Sequence, residues 1–507
     1  MLFCIILLSS CRKDFETVPS SGNLEFSKDT VYLDTVFSNI GSSTYNLKVY
    51  NKSNEDILIP IIKLSQGEAS KYRLNVDGIP GKTFENIEIL AKDSIFIFIE
   101  TTVDIADFAA SQNQFLYTDA IEFDTDVRLQ KVELVTLIKD AVFLYPELYP
   151  DGTTETLPIG IGENGETASI EGFYLEDEEL TFTNEKPYVI YGYAGIPSNK
   201  TLEIQAGARI HFHANSGIIA ANNASLHVNG ALSSDPILLE NEVIFEADRL
   251  EPAFRDVPGQ WGTIWLTEGS TNHIFNYATI KNASVGILMD SSDGGTAPTL
   301  TLKNTQIYNS SNVGLLARTG NIVGENLVIN NSGQSSLHLS LGGTYHFKHS
   351  TFANYWQYSY RQFPAVYIEN ALETPEEIFV ADLSAQFSNC IIYGNNNLEL
   401  VFNINENAAF DYNFQNCLIK FIDLNGTSET LPEYDFSNEA LFQNIILNES
   451  PDFYDPQNNL LMIGENAAAN GTADMATANE VPFDILGTPR NTNPDMGAYE
   501  SILLPED

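Results

Sequence analysis

Between about residues 23 and 140 the chain alternates apolar and polar positions in short runs, among them Tyr45-Asn-Leu47-Lys-Val49-Tyr50, Ile57-Leu-Ile59, Ser94-Ile-Phe96-Ile-Phe98-Ile and Val132-Glu-Leu134-Val. A period of two places successive side chains on opposite faces of a strand. Turn signals such as Asn51-Lys-Ser-Asn54 and Asp77-Gly78 separate the runs. The pattern predicts a sandwich of about seven or eight strands over 23–142.

Further along, the pattern repeats. Ile280-Lys-Asn282-Ala-Ser-Val285-Gly286-Ile287 is matched by Ile307-Tyr-Asn309-Ser-Ser-Asn-Val313-Gly314-Leu315 and by Ile329-Asn-Asn331, with the asparagines 27 and then 22 residues apart. Phe352-Ala-Asn354 and Ile392-Tyr-Gly-Asn395 continue it. A period in the twenties with short strands and Asn or Gly corners predicts a solenoid. Asn tolerates the left-handed backbone of a sharp corner, and its amide can bond to the Asn of the next coil. Inward Ile, Val, Leu and Phe then stack at about the 4.8 Å strand spacing. Asn389-Cys390-Ile-Ile and Asn416-Cys417-Leu-Ile share one context, which predicts neighbouring apolar thiols at equivalent positions. A disulfide between them is the minority alternative.

Composition narrows the function. The chain has 507 residues, 25 Lys and Arg against 68 Asp and Glu, and a net charge of −43. Such a field repels nucleic acid and anionic headgroups, so the expected partners include no nucleic acid, and polyuronates bind poorly unless cations intervene. Aromatics are almost all Phe (30) and Tyr (23), which favours strands. No apolar stretch beyond the N-terminus approaches a membrane span.

Met1 to Leu8 is apolar and runs into Leu8-Ser9-Ser10-Cys11. This resembles the lipobox of bacterial lipoproteins. The resemblance implies cleavage before Cys11, lipidation of Cys11 (palmitate-type acyl chains) and a lipid anchor in the outer membrane, facing the cell surface; two or more chains give stable attachment. The apolar stretch is short and no Lys or Arg precedes it, so segment 1–10 reads as a truncated signal. Arg12-Lys13-Asp14-Phe15-Glu16 resembles lipoprotein surface-export signals, and 11–22 reads as a tether. Leu47-Lys-Val49-Tyr-Asn51 followed by Ile57-Leu-Ile59 resembles the immunoglobulin-like domains of the abnormal-spindle/Hydin class. Lys200-Thr-Leu202-Glu-Ile204 to Ile210, Ser225-Leu226-His-Val228-Asn-Gly230 and the repeat resemble the right-handed parallel β-helix of the pectate-lyase superfamily. Gly487-Thr-Pro-Arg490 and Asp495-Met-Gly497-Ala498-Tyr499-Glu500 resemble the closing segment of bacterial β-helix repeat proteins. The expected fold is all-β: an immunoglobulin-like sandwich (23–142), a connector and N-terminal cap (143–195), a right-handed parallel β-helix (196–480) and a closing segment (481–507).

That superfamily hosts lyases, hydrolases, adhesins and scaffolds, so the chemistry must come from the residues. Its lyases use a Lys or Arg base with several carboxylates, often holding Ca²⁺. Here Glu246-Ala-Asp248-Arg249 with Arg255-Asp256 is the best local cluster, and a loop salt bridge accounts for it equally simply. Asp290-Ser-Ser-Asp293-Gly294-Gly295 reads as an oxygen-ligand loop or a solvated acidic turn. His211 and His213 share a strand face and are expected to be an exposed pair, two ligands without the third that a zinc site needs. Trp261, Trp265 and Tyr355-Trp356-Gln-Tyr358-Ser-Tyr360 are sugar platforms or packing residues. No catalytic residue, metal ligand or cofactor is assigned. The expected function is a non-catalytic surface scaffold binding glycan or protein; the alternative is a surface-tethered polysaccharide lyase or glycoside hydrolase.

Overall fold

A computed structural model describes residues 17–108, 114–161, 166–236, 238–290, 295–374, 377–426 and 430–504. The chain divides into two compact units: 1–141 with Arg249–Glu251, and Val142–Asp248 with Pro252–Asp507. In both, strands make up almost all of the regular structure. Among the described residues the one α-helix is Met475–Glu480.

In the first unit the alternating runs form Tyr45–Tyr50, Ile57–Leu64, Ser94–Thr101 and Gln130–Lys139. These belong to one six-stranded and one five-stranded sheet. Alternate residues of both sheets, including Leu47, Ile59, Tyr72, Ile97, Ile121 and Leu134, meet in a single buried core. Pairing is mostly antiparallel, but Gln130–Lys139 runs parallel to Thr30–Phe37.

The second unit has three columns of parallel strands. One pass of the chain gives Asn321–Glu325, Val328–Ser332 and Leu337–Leu339, one strand to each column. The next gives Gly343–Lys348, Thr351–Asn354 and Val366–Glu369, in register with the first. The long strands His273–Lys281 and Leu300–Ser310 serve the first two columns at once and join them into 19 parallel strands. The third column is a 10-stranded sheet, parallel except where Thr156–Ile161 pairs antiparallel with Thr167–Tyr174. Inward residues fill one continuous core, with Ile204, Val228, Phe275, Leu302, Phe347, Phe387 and Phe414 at stacked positions. Gly314 is required by closeness rather than by φ: a Cβ there would lie 2.4 Å from Ile329 and 2.6 Å from the Ser336 carbonyl.

Asparagines make the corners. Asn282, Asn309 and Asn331 have φ of 67°, 56° and 57° between the second and third columns. Asn331 donates to Asn309 Oδ1 (2.6 Å) and Asn309 to Asn282 Oδ1 (3.2 Å). Asn354 departs from this. It has no left-handed backbone and instead exchanges bonds with the Ser332 backbone. A second ladder, not seen in the sequence pattern, turns the first column into the second through Tyr277, Asn304, Asn326, His349, Asn389, Asn416 and Asn444, all with positive φ. Cys390 and Cys417 follow two of these corners. Both are buried, free thiols, each donating to backbone carbonyls.

The C-terminal end of the core is closed by an aromatic cluster in which Phe421, Tyr434, Phe436 and Phe442 pack on Phe402 and Phe414. The following segment, 453–499, lies along the outer face of the second column. Leu461, Ile485 and Tyr499 cover Tyr308, Val328 and Ala353, while Ile463, Ala469 and Met496 cover Ile391 and Leu418.

Asn309 is buried and bonded to Asn282, Asn331 and Asn459 at once. Asn309→Ala is expected to destabilise by about 2 kcal/mol, through lost bonds and a Cβ-bearing residue without a local partner at positive φ. A urea unfolding midpoint equal to wild type would exclude a structural ladder. His273 sits inside the stack, its ring accepting from Leu226 N–H and bonding Ser270, and burial pushes its pKa down to about 3. The unfolded chain therefore binds a proton that the fold refuses. Stability is full above about pH 6.5 and falls as pH drops, by roughly 2–3 kcal/mol from this residue at about pH 4.5. Urea midpoints of wild type and His273→Phe across that range check this, since the variant should lose less.

Candidate functional site

The sequence-predicted residues are scattered. Trp261 is a core residue, 1% exposed, stacked on Phe212 at 4.3 Å with its indole N–H on the Lys281 carbonyl. Trp356 is almost buried and bonded to Ser359, while Tyr358 and Tyr360 are exposed. Glu246 lies on the strand Val243–Ala247 and pairs with Lys281 at 2.7 Å. Burial raises its pKa, but His211, Lys281 and Arg209 outweigh that and hold it below the ordinary value. Arg249 pairs with Glu251 and Arg255 with Asp256. The cluster is thus dispersed into separate ion pairs.

The expectation of an exposed histidine pair is corrected. His213 is exposed and bonded to Asp248 at 2.8 Å, but His211 is only 5% exposed and bonded to the Ala247 carbonyl at 3.1 Å. Alternation gave the direction of His211 correctly, away from Ile210 and Phe212. It could not reveal that Glu246, in register on the next pass, covers it. Cys11 and Asp293 lie outside the described residues, so the lipid site and most of the acidic loop have no geometry.

The third column presents an organised outward face. Strand register aligns Ile219, Trp265, Leu288, Leu316, His338, Tyr367 and Val401 in one apolar and aromatic row. Beside it runs a polar row. Backbone bonds from Asp290 N to Leu266 O, Arg318 N to Met289 O and Ser340 N to Ala317 O carry the parallel ladder one residue further, with Glu369 paired to Asn403 at its end. The two rows are bonded together. The Trp265 indole donates to Asp290 Oδ2 (2.5 Å), Arg318 donates to Asp290 Oδ1 (3.1 Å), His338 bonds Glu369 (2.9 Å), and Asn403 donates to Glu369 (3.1 Å). The His338 and Tyr367 rings lie 4.9 Å apart. Burial and Glu369 push the Tyr367 phenol up to about 12, so it stays a hydroxyl.

At the N-terminal end of this face is an open pocket of about 550 Å³, lined by Leu157, Ile159, Tyr174, Trp265, Glu268, Asp290 and Arg318 among others. Trp265 is half-buried, packed against the cluster of Leu157, Tyr193 and Ile219 and held by Asp290. A flat apolar ring beside fixed donors and acceptors can take a ligand with one apolar face and a hydroxylated rim. Two carboxylates, Glu268 and Asp290, stand in its lining. The sequence marked Trp265 and Asp290 separately. Arg318 carried no signal, because only the stacking of passes brings it to Asp290.

No protein family matches this chain, and no curated protein matches it either. Among solved structures the chain is similar to a family 123 glycoside hydrolase from Clostridium perfringens, described for glycolipid glycan hydrolysis: 8% identity over 24% of this chain and 30% of the hydrolase, TM-score 0.16. It is also similar to the ASH/PapD-like domain 7 of human CEP192, at 12% identity over 27% of this chain and 97% of that domain, TM-score 0.16.

Proposed function

We propose that this protein is a lipid-anchored bacterial surface protein in which an immunoglobulin-like sandwich precedes a right-handed parallel β-helix whose third face binds glycan without catalysis. Three stacked parallel columns with Asn corners support the helix reading, and right-handedness follows the usual crossover rule. Two sheets around one core support the sandwich reading. The Leu8-Ser9-Ser10-Cys11 segment supports the anchor.

One observation carries the ligand class: Trp265, half-buried at an open pocket, is locked by Asp290, which Arg318 holds in turn. Sugars offer an apolar C–H face for the ring and hydroxyls for the charged pair. The −43 charge favours neutral over acidic glycans.

Affinity electrophoresis against neutral and acidic polysaccharides tests the reading. A neutral polysaccharide should retard the protein, and Trp265→Ala should weaken that binding by at least about tenfold with the unfolding midpoint nearly unchanged. Retardation by no polysaccharide, or equal retardation of Trp265→Ala, would overturn it. Release of unsaturated or reducing-end products would move the protein to the enzyme class. The anchor is tested separately: Cys11→Ala should abolish labelling by radioactive palmitate and release the protein from the membrane fraction.

A further inference from the structure

The second column carries a site of different construction. Its outer face is mostly covered by the C-terminal segment, but near the passes around Thr279 and Gln306 the cover stands off and leaves a cavity of about 530 Å³. Leu232, Ser233, Ser234, Pro236 and Leu239 wall one side: thirteen residues separate Ser225–Asn229 from Val243–Ala247, where a later pass turns in two, Asn326 and Leu327. Residues 458–462 and 485–486 wall the other, and Arg255 and Asp256 stand at the edge.

The floor is a connected polar network. Tyr308 and Tyr499 both donate to Gln306 Oε1, at 2.5 and 3.2 Å. Gln306 reaches Thr279 (3.4 Å), and Thr279 donates to Glu242 Oε2 (2.9 Å). Glu242, Thr279, Tyr308 and Tyr499 are all buried, whereas Leu232, Leu460 and Leu486 around the edge are exposed. The floor thus joins these polar groups to the buried Leu461 and Ile485, with further leucines at the edge.

Charge fixes the ligand class. The two cations of the lining are already matched, Lys281 by Glu246 at 2.7 Å and Arg255 by Asp256 at 3.5 Å. Glu242 is the remaining acid; burial raises its pKa, and its carboxylate already accepts from Thr279 and lies in the field of Arg209. A ligand of either sign gains no unopposed counter-charge here. A neutral molecule rich in hydroxyls, with apolar edges against the leucines, meets both parts of the lining. The volume falls in the roughly 300–1,000 Å³ range of small-ligand sites. We propose that this cavity is a second binding site, separate from the Trp265 face, for a neutral mono- or disaccharide unit. It stands independently of the glycan reading of the third column.

The test is calorimetric titration of the full chain with methyl glycosides of glucose, galactose, mannose and N-acetylglucosamine and with maltose and cellobiose. Glucuronate and glucosamine serve as charged controls. At least one neutral sugar should bind and both charged controls should bind more weakly. Leu460→Trp, which fills the exposed edge of the cavity, should weaken that sugar by at least about tenfold while leaving polysaccharide retardation intact. Glu242→Gln, which keeps a donor and an acceptor, should stay within about threefold of wild type, and Glu242→Leu should lose binding. Binding of no neutral sugar, tighter binding of a charged control, or unchanged affinity in Leu460→Trp would each overturn the proposal. Loss of sugar binding together with polysaccharide retardation in Leu460→Trp would also overturn it, by placing both ligands in one site.

Discussion

A left-handed residue at a fixed place in seven successive passes is the constraint on which the second unit rests. The positions run Tyr277, Asn304, Asn326, His349, Asn389, Asn416, Asn444 at one corner and Asn282, Asn309, Asn331 at the next. A residue with a Cβ loses roughly 1–2 kcal/mol in that conformation. Asparagine offsets the cost locally, and here it also bonds to its counterpart in the neighbouring pass, as Asn326 does to Asn304 at 2.8 Å and Asn444 to Asn416 at 3.2 Å. The bond is a register lock. Slipping one strand by a residue would break the amide pair and turn every inward Phe or Ile toward water.

Register, once locked, creates composite surfaces from residues distant in sequence. Outward side chains of successive passes meet at about 4.8 Å intervals, however far apart they are in sequence. Asp290 and Arg318 are 28 residues apart and form one ion pair; Thr279 and Gln306 are 27 apart and form one hydrogen bond. The two outer faces then diverge by what covers them. The C-terminal segment lies on the second column through Leu461, Ile463 and Met496, while the third keeps Trp265 accessible beside Asp290.

This explains what the sequence could and could not disclose. Asn282, Asn309 and Asn331 were legible because the corner dictates the residue type and the type recurs. The other corner was not, since Tyr277 and His349 interrupt the run of asparagines and His349 is held in its place by a bond from Asn389. Period-two alternation placed Ile210 and Phe212 inward. It also pointed His211 outward and so implied exposure, whereas Glu246 one pass later buries it. Trp261 and Trp265 look alike in sequence, four residues apart, yet one stacks in the core and the other edges a pocket. Strand position decides between them: Trp265 lies in the strand Ile264–Leu266, facing outward between inward neighbours, whereas Trp261 precedes it and folds back onto Phe212.

The closing motif shows how the corners hold the cover as well as the stack. Arg490 is buried among Asp484, Asp495 and Glu500, with its guanidinium on the Phe483 and Gly497 carbonyls. Crowding of acids and burial raise the Glu500 carboxyl to about 7, so the motif holds fewer charges than its sequence suggests. Gly497 N–H then bonds the Asn389 carbonyl, Asp474 N–H the Asn389 amide oxygen, and Ala498 N–H the Thr351 hydroxyl. Corner amides that serve the stack on one side serve the cover on the other. Loops can therefore lengthen between strands, as 230–242 does, without disturbing register, because loop entropy grows slowly with length while the corner bonds stay local. Both candidate sites lie where such added segments stand against an outward face. The stack supplies fixed side-chain rows, and the additions enclose them.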